Sequence, residues 1–173
     1  MFSTDMYTEQ AVKTINEHDS TKPLFLMVSY QAPHNPFSMP PEEYTRHYPD
    51  DIVGGIDRAG TVTALDYGVG RIVKTLKESG LYEDSFVFFS SDNGGSNRKF
   101  NAPLKGKKEQ VAGIFLEIIY KYRVRTLIPK VYEGGMRVVG FVSSPLLDSP
   151  GKVYDGLLHV SDWFSTLLNL AGK

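Results

Sequence analysis

The sequence predicts an α/β domain, and three observations carry that prediction. Residues 24–30 and 86–90 are two short, continuous runs of large apolar and β-branched side chains bounded by turn signals, the pattern of strands buried on both faces. Between them, Val62, Leu65, Val69, Ile72 and Leu76 fall on one helical face across residues 57–79, with Gly80 placed as the left-handed residue that ends the helix. Strand, crossover helix and strand in that order predict a parallel pair in one sheet. The loops leaving the two strands then emerge on the same edge, where open α/β sheets keep their chemistry. One loop holds His34; the other holds Asp92 and Asn93.

The remaining elements follow in chain order. Over residues 3–18, Tyr7, Ala11, Val12 and Ile15 recur at helical spacing, and Ser3, Thr4 or Asp5 is available as the N-cap. Polar residues 19–23 end this helix. Two prolines in Gln31-Ala32-Pro33-His34-Asn35-Pro36 exclude regular structure there. Residues 37–55 read as a surface loop with a short helix over 41–46, and 82–85 as a polar turn. Beyond Gly95 comes a basic loop carrying Arg98, Lys99, Lys105, Lys107 and Lys108. In residues 109–130 helix and strand signals compete, because Val111, Ile114, Phe115, Ile118 and Ile119 keep a helical period while 120–125 alternate. Residues 132–135 read as a turn, 137–143 as a short strand and 145–156 as loop. A capped amphipathic helix over 161–171 turns Phe164, Leu167, Leu168 and Ala171 inward and stops at Gly172.

Composition narrows the function. The 173 residues are 41% hydrophobic and 23% charged, a globular balance. A net charge of −1 leaves no general basic footprint for nucleic acid or an anionic membrane. No window approaches the ~18 apolar residues of a membrane span. The amino terminus lacks the pattern of a secretory signal. With no cysteine, the chain has neither disulfides, thiolate metal sites nor a cysteine-derived nucleophile.

Few groups are placed to do chemistry. Asp92 and Asn93 offer a carboxylate and an amide oxygen side by side, a donor set for Ca²⁺ or Mg²⁺. Asn-Gly is also a common hairpin turn pair, so a plain turn is the alternative. His34 is either a proton donor, an anion ligand or an ordinary loop residue. Lys105, Lys107 and Lys108 either bind an anion or form a solvated loop. Asp50, Asp51, Asp57 and Asp66 read as surface charges, and His18, His47 and His159 show no zinc spacing.

Five motifs, in order, resemble the sulfatase family: Gln31-Ala32-Pro33-His34-Asn35-Pro36, Ser91-Asp92-Asn93-Gly94-Gly95, Pro103-Leu104-Lys105-Gly106-Lys107-Lys108, Tyr132-Glu133-Gly134-Gly135-Met136-Arg137 and His159-Val160-Ser161-Asp162-Trp163. The arylsulfatase B-like (N-acetylgalactosamine-4-sulfatase-like) subgroup is the best match. The resemblance implies an alkaline-phosphatase-like fold with a mostly parallel sheet flanked by helices, and hydrolysis of sulfate esters of glycosaminoglycan-type sugars in a lysosomal or secreted setting. It implies Asp92 and Asn93 as half of a Ca²⁺ site, His34 beside the leaving oxygen and Lys108 on the sulfate. A sulfated carbohydrate or aryl sulfate is then the partner.

Two departures accompany the resemblance. Family members carry, upstream, two further metal-binding aspartates and a Cys-x-Pro-Ser-Arg motif whose cysteine becomes a formylglycine nucleophile. This chain contains no such motif and reads as an internal segment of the catalytic domain, inactive alone. Relatives also pass from the lysine to Glu-Gly-Gly in a few residues, so 109–130 is an atypical insertion, by alternative exon, retained intron or gene-model error. Two other functions are compatible with the sequence: a non-catalytic product that binds sulfated glycans or a partner through the basic loop, and a phosphate-ester hydrolase of the alkaline phosphatase superfamily.

Overall fold

The computed structural model describes residues 2–34, 39–108 and 132–172. The stretch 109–130, with its competing helix and strand signals, lies outside the described residues.

A helical layer forms the best-buried part of the chain. Helix α1 spans Ser3–Asn16, the single-turn helix α2 spans Glu42–Thr45, and the long helix α3 spans Ile56–Glu78. The contact face of α1 is Thr4, Thr8, Ala11 and Ile15. Ala11 and Ile15 were legible as an apolar stripe, but the two threonines were not. Thr8 is tolerated in the interior because its hydroxyl donates to the carbonyl of Thr4 at 2.9 Å. Thr61 and Thr75 on α3 use the same device, donating to the carbonyls of Asp57 and Arg71 at 2.7 and 2.9 Å.

The covered face of α3 is also one of small residues: Gly60, Thr61, Ala64, Gly68, Thr75 and finally Leu76. Of the five apolar residues expected to point inward, only Leu76 is buried, and Val62 is 45% exposed. Helices approach closely where side chains are short, so the small-residue face took α1 and α2 while the apolar stripe lies half-covered on an adjoining face. At Gly68 the approach leaves no room for a Cβ, which would collide with the hydroxyl of Thr8 and come within 3.1 Å of that of Tyr30. Gly80, with φ of 73°, ends the helix as the sequence predicts.

The expected side-chain cap on α1 is replaced by Phe2 in extended conformation, without a side-chain hydrogen bond. The candidate caps are otherwise engaged. Thr4 is buried, and Asp5 accepts a 3.0 Å hydrogen bond from the hydroxyl of the buried Tyr44. Burial, reinforced by that bond to Asp5, raises the Tyr44 hydroxyl pKa well above its ordinary value of 10.0.

Residues 24–30 differ from expectation. They are extended but carry no strand pairing among the described residues, and their burial alternates. Leu24, Leu26, Val28 and Tyr30 are half-covered, whereas Phe25 and Met27 are 75% and 76% exposed. A strand exists only where a neighbour satisfies its backbone groups, and none of the described residues lies beside this run in that register. The Tyr30 end is anchored instead by side chains: its hydroxyl shares a 2.8 Å hydrogen bond with that of Thr8, and its ring meets Tyr7 edge-on at 6.2 Å.

The described sheet has two strands, β1 (Val87–Ser90) and β2 (Gly140–Ser143), at the positions the sequence predicts. They are antiparallel, with Phe88 opposite Val142 and Phe89 opposite Phe141. The Phe89 and Phe141 rings stack at 5.1 Å. β1 is thus half-covered rather than buried on both faces, and its described partner comes from later in the chain rather than from 24–30. Helix α5 spans Asp162–Leu170, with Gly172 at φ of 71° behind it. It meets the sheet through Trp163, edge-on to Phe88 at 5.2 Å, while Phe164 is 72% exposed and Leu168 40%. Its sheet-facing residue is therefore Trp163 rather than Phe164. Ser161 makes no capping bond; Asp162 instead accepts from the backbone N–H of His159 at 2.8 Å.

The α1–α3 junction gives two predictions. Gly68→Ala should lower unfolding free energy by about 1–3 kcal/mol through overpacking, whereas Gly70→Ala, at a helical position with open space, should raise it by up to about 1 kcal/mol. Urea denaturation of both variants checks the contrast; equal effects would remove the packing argument. The Tyr44 shift sets a pH dependence. Because the folded-state pKa is raised, its stabilisation is complete below the unfolded value of 10.0 and is lost as pH rises above it. Tyr44→Phe should therefore lose less stability than the parent chain between pH 9 and pH 11 in the same denaturation series.

Candidate functional site

Beyond β1 the ladder continues by one bond, from the N–H of Ser91 to the carbonyl of Val139 at 3.1 Å. The chain then turns through Asp92, exposed, and Asn93, half-buried, closed by a 3.1 Å bond from the Ser91 hydroxyl to the Asn93 carbonyl. This is no hairpin turn, because the strand that pairs with β1 is β2, some fifty residues later. The hairpin form of the plain-turn alternative fails on that ground.

Three loops meet immediately behind Asn93. Gly94 donates its N–H to the carbonyl of Gly135 at 3.0 Å, and Gly134 donates to that of Lys105 at 2.8 Å. A Cβ on Gly94 would strike the carbonyl oxygen of Gly134, and one on Gly134 would lie 2.6 Å from that of Gly106. Main chains this close require glycine. Gly134 and Gly135 belong to α4, a single turn over Glu133–Met136. The sequence reading of a turn at 132–135 is thus refined to one helical turn pressed against the other two loops.

Asn101 ties the loops together. Its Oδ1 accepts from the N–H of Gly95 at 2.7 Å, and its Nδ2 donates to the carbonyls of Gly95 at 3.0 Å, Gly106 at 3.1 Å and Asn97 at 3.4 Å. Lys108 joins the same junction, donating its N–H to the carbonyl of Gly95 at 3.0 Å. Lys108 is therefore held two residues from Asn93. Phe100, next to Asn101, lies against Gly95 and Gly54 and under the guanidinium of Arg58, 4.4 Å from the ring centre. This contact couples the loop to the start of α3. Asp57, expected on the surface, has a buried Oδ1 with no hydrogen-bond partner among the described residues.

His34 follows the extended run anchored at Tyr30. It is exposed, and its N–H donates to the carbonyl of Gln31 at 2.8 Å. The bonds that knit the glycine loops join residues 91–108 to 132–139, so the structure unites Asp92, Asn93 and Lys108 and positions His34 from the helical layer. Among the described residues no group of three or more His, Cys, Asp and Glu could hold a metal. Asp92 and Asn93 stand as a pair of hard oxygen donors. The other histidines are in local bonds: His18 with the Lys22 carbonyl, His47 with Arg46 and His159 with the Ser161 hydroxyl.

Asn101 escaped sequence reasoning because a carboxamide in a loop carries no period. Its signal was only its place between a basic Gly/Ser/Asn segment and Pro103. A cavity of about 370 Å³ adjoins this junction, lined by Arg98, Leu104, Lys105, Gly106 and Tyr132.

The whole chain, residues 1–173, matches the sulfatase family model, and the chain belongs to that family. It is 39% identical to arylsulfatase J of Mus musculus over 176 residues, covering 99% of this chain and 26% of that protein. It is 31% identical to N-acetylgalactosamine-6-sulfatase of Mus musculus over 171 residues, covering 98% of this chain and 29% of that protein. The solved structure of Ps i-CgsB is similar with a TM-score of 0.79 at 30% identity, over 98% of this chain and 34% of that one. The complex of Ps i-CgsB with k-i-k-neocarrahexaose gives a TM-score of 0.76. The fold is therefore the alkaline-phosphatase-like α/β fold of sulfatases, and the chain spans about a quarter to a third of the length of these relatives. These likenesses do not single out the arylsulfatase B-like subgroup.

Removing the Asn101 carboxamide leaves the Gly95 and Gly106 groups to find new partners, at a cost of roughly 1–3 kcal/mol. Asn101→Ala should speed amide exchange at Gly95 and Lys108 by at least tenfold while exchange in α1 and α3 stays as in the parent chain. Unchanged protection at Lys108 would mean that the junction does not depend on Asn101.

Proposed function

We propose that this chain is part of a sulfate-ester hydrolase, with its sulfate-facing edge formed by Asp92, Asn93, Lys108 and His34. The observation that carries the reading is the glycine junction, which holds the Lys108 backbone to Gly95 directly behind the Asp92-Asn93 pair. Family membership supports it. The arylsulfatase B-like subgroup, action on glycosaminoglycan-type sugars, and a lysosomal or secreted setting belong to the same proposal. A saccharide substrate is supported by the likeness to N-acetylgalactosamine-6-sulfatase and to Ps i-CgsB, solved with k-i-k-neocarrahexaose.

Asp92 supplies a carboxylate oxygen and Asn93 an amide oxygen, and both are hard donors that fit Ca²⁺ in kind. They do not fit it in number, since Ca²⁺ takes 6–8 oxygens. They form half of a site. When bound, Ca²⁺ would polarise the sulfate and offset its negative charge. Lys108 places an ammonium where charge builds on the sulfate oxygens. His34, an exposed residue, delivers a proton to the leaving oxygen. The chain contains no cysteine, so a formylglycine nucleophile cannot form within it. Residues 109–130 act in this proposal as an insertion between Lys108 and the Glu133-Gly134-Gly135 turn.

The purified 173-residue chain should not hydrolyse a chromogenic aryl sulfate above an Asp92→Ala control. Ca²⁺ titration followed by NMR should shift Asp92 and Asn93 with a dissociation constant of about 1 mM or weaker, and Asp92→Ala should abolish the shift. Turnover by the unmodified chain would overturn its inactivity alone, and Ca²⁺ shifts that ignore Asp92 would overturn the half-site.

A further inference from the structure

The fifteen residues 94–108 carry five cations, Arg98, Lys99, Lys105, Lys107 and Lys108, and no carboxylate. Among the described residues none of the five is in an ion pair; the pairs there use Lys13, Lys22, Lys74 and Arg137. Glu133, the acidic residue beside Tyr132, is taken by Arg137 at 3.4 Å. Like charges on a loop repel one another, and here the backbone carrying them is tied by Asn101 and the glycine contacts. Among the described residues no carboxylate pairs with these cations.

Two of these cations, Arg98 and Lys105, line the 370 Å³ cavity together with Leu104, the buried Gly106 and Tyr132. That volume falls within the range of small-molecule sites. A planar guanidinium and an ammonium recognise sulfate or carboxylate oxygens, the guanidinium in bidentate fashion. Tyr132 adds an amphipathic ring, apolar on its face and polar at its tip. Ring, guanidinium and ammonium around one cavity suit a pyranose that bears an anionic group.

We propose that this cavity binds an anionic saccharide unit separate from the sulfate ester at Asp92, Asn93 and Lys108. Its role as the subsite for a neighbouring sugar rests on the sulfate-ester reading above. Gly106 and Lys105 serve both places: their carbonyls receive Asn101 and Gly134, and both residues line the cavity. Longer sulfated chains would then be held at two points, which favours internal units of a polymer over free aryl sulfates.

The test uses the 173-residue chain and four probes by NMR titration and calorimetry: a sulfated tetrasaccharide, its desulfated counterpart, inorganic sulfate and a single-stranded oligonucleotide of equal charge. Arg98→Ala with Lys105→Ala should weaken the tetrasaccharide about tenfold or more and leave the shifts that inorganic sulfate causes at Asn93 and Lys108 unchanged. Tyr132→Ala should weaken the tetrasaccharide at least threefold, and Tyr132→Phe should restore it; the circular dichroism of each variant checks folding. Lys108→Ala should reduce inorganic sulfate binding while cavity shifts with the tetrasaccharide persist. Absence of inorganic sulfate binding in the parent chain, with the cavity shifts retained, would overturn the sulfate-ester reading and leave the saccharide site standing. Tetrasaccharide binding that ignores Arg98 and Lys105, or an oligonucleotide or desulfated sugar that binds as tightly, would overturn the saccharide site.

Discussion

Main-chain approach without an intervening Cβ is the constraint on which this structure depends. It operates at two places. In the helical layer Gly68 lets α3 close on Thr8 of α1 and on the hydroxyl of Tyr30. At the sheet edge Gly94 and Gly134 let the loops after β1 and around α4 touch through their backbones. Backbone polar groups brought this close must bond one another, and they do, through Gly94 to Gly135 and Gly134 to Lys105. Any side chain at these positions would separate elements that come from distant parts of the sequence.

The two places do different work. The helical junction fixes Tyr30 and so sets where the loop bearing His34 leaves the helical layer. The sheet-edge junction fixes Asp92, Asn93 and Lys108 relative to one another, with Asn101 bonding three loop carbonyls and one N–H. Phe100 bridges them, packed against Gly54 and Gly95 and covered by Arg58 at the start of α3. The described chemistry is thus held by backbone hydrogen bonds and one carboxamide rather than by a large apolar core. Among the described residues Phe25, Met27 and Phe164 leave large apolar side chains exposed.

Periodicity made α1, α3, α5, β1 and β2 legible, since each repeats or concentrates apolar residues along a short stretch. It misjudged their faces. On α3 the strong apolar stripe drew attention, whereas contact went to the face with Gly60, Ala64 and Gly68, because shape rather than hydrophobicity limits how near two helices come. The run 24–30 has strand composition, but strand pairing is a relation to a second segment that composition does not contain. Helix caps failed for a similar reason: Thr4 is buried and Asp5 is taken by the hydroxyl of Tyr44.

Short, contiguous motifs were enough for the sulfatase resemblance and for the candidate residues Asp92, Asn93, Lys108 and His34. The sequence by itself also determined that no cysteine-derived nucleophile is available in this chain. Tertiary structure alone decided that Asp92-Asn93 is not a hairpin turn, that Lys108 is bound beside it, and that Asn101 holds the loops together. It alone decided that Arg98, Lys105 and Tyr132 share a cavity. The physical reason is one of range. Motifs and periods are local properties, while a carbonyl's donor or a cavity's wall is supplied by whichever distant segment packs there.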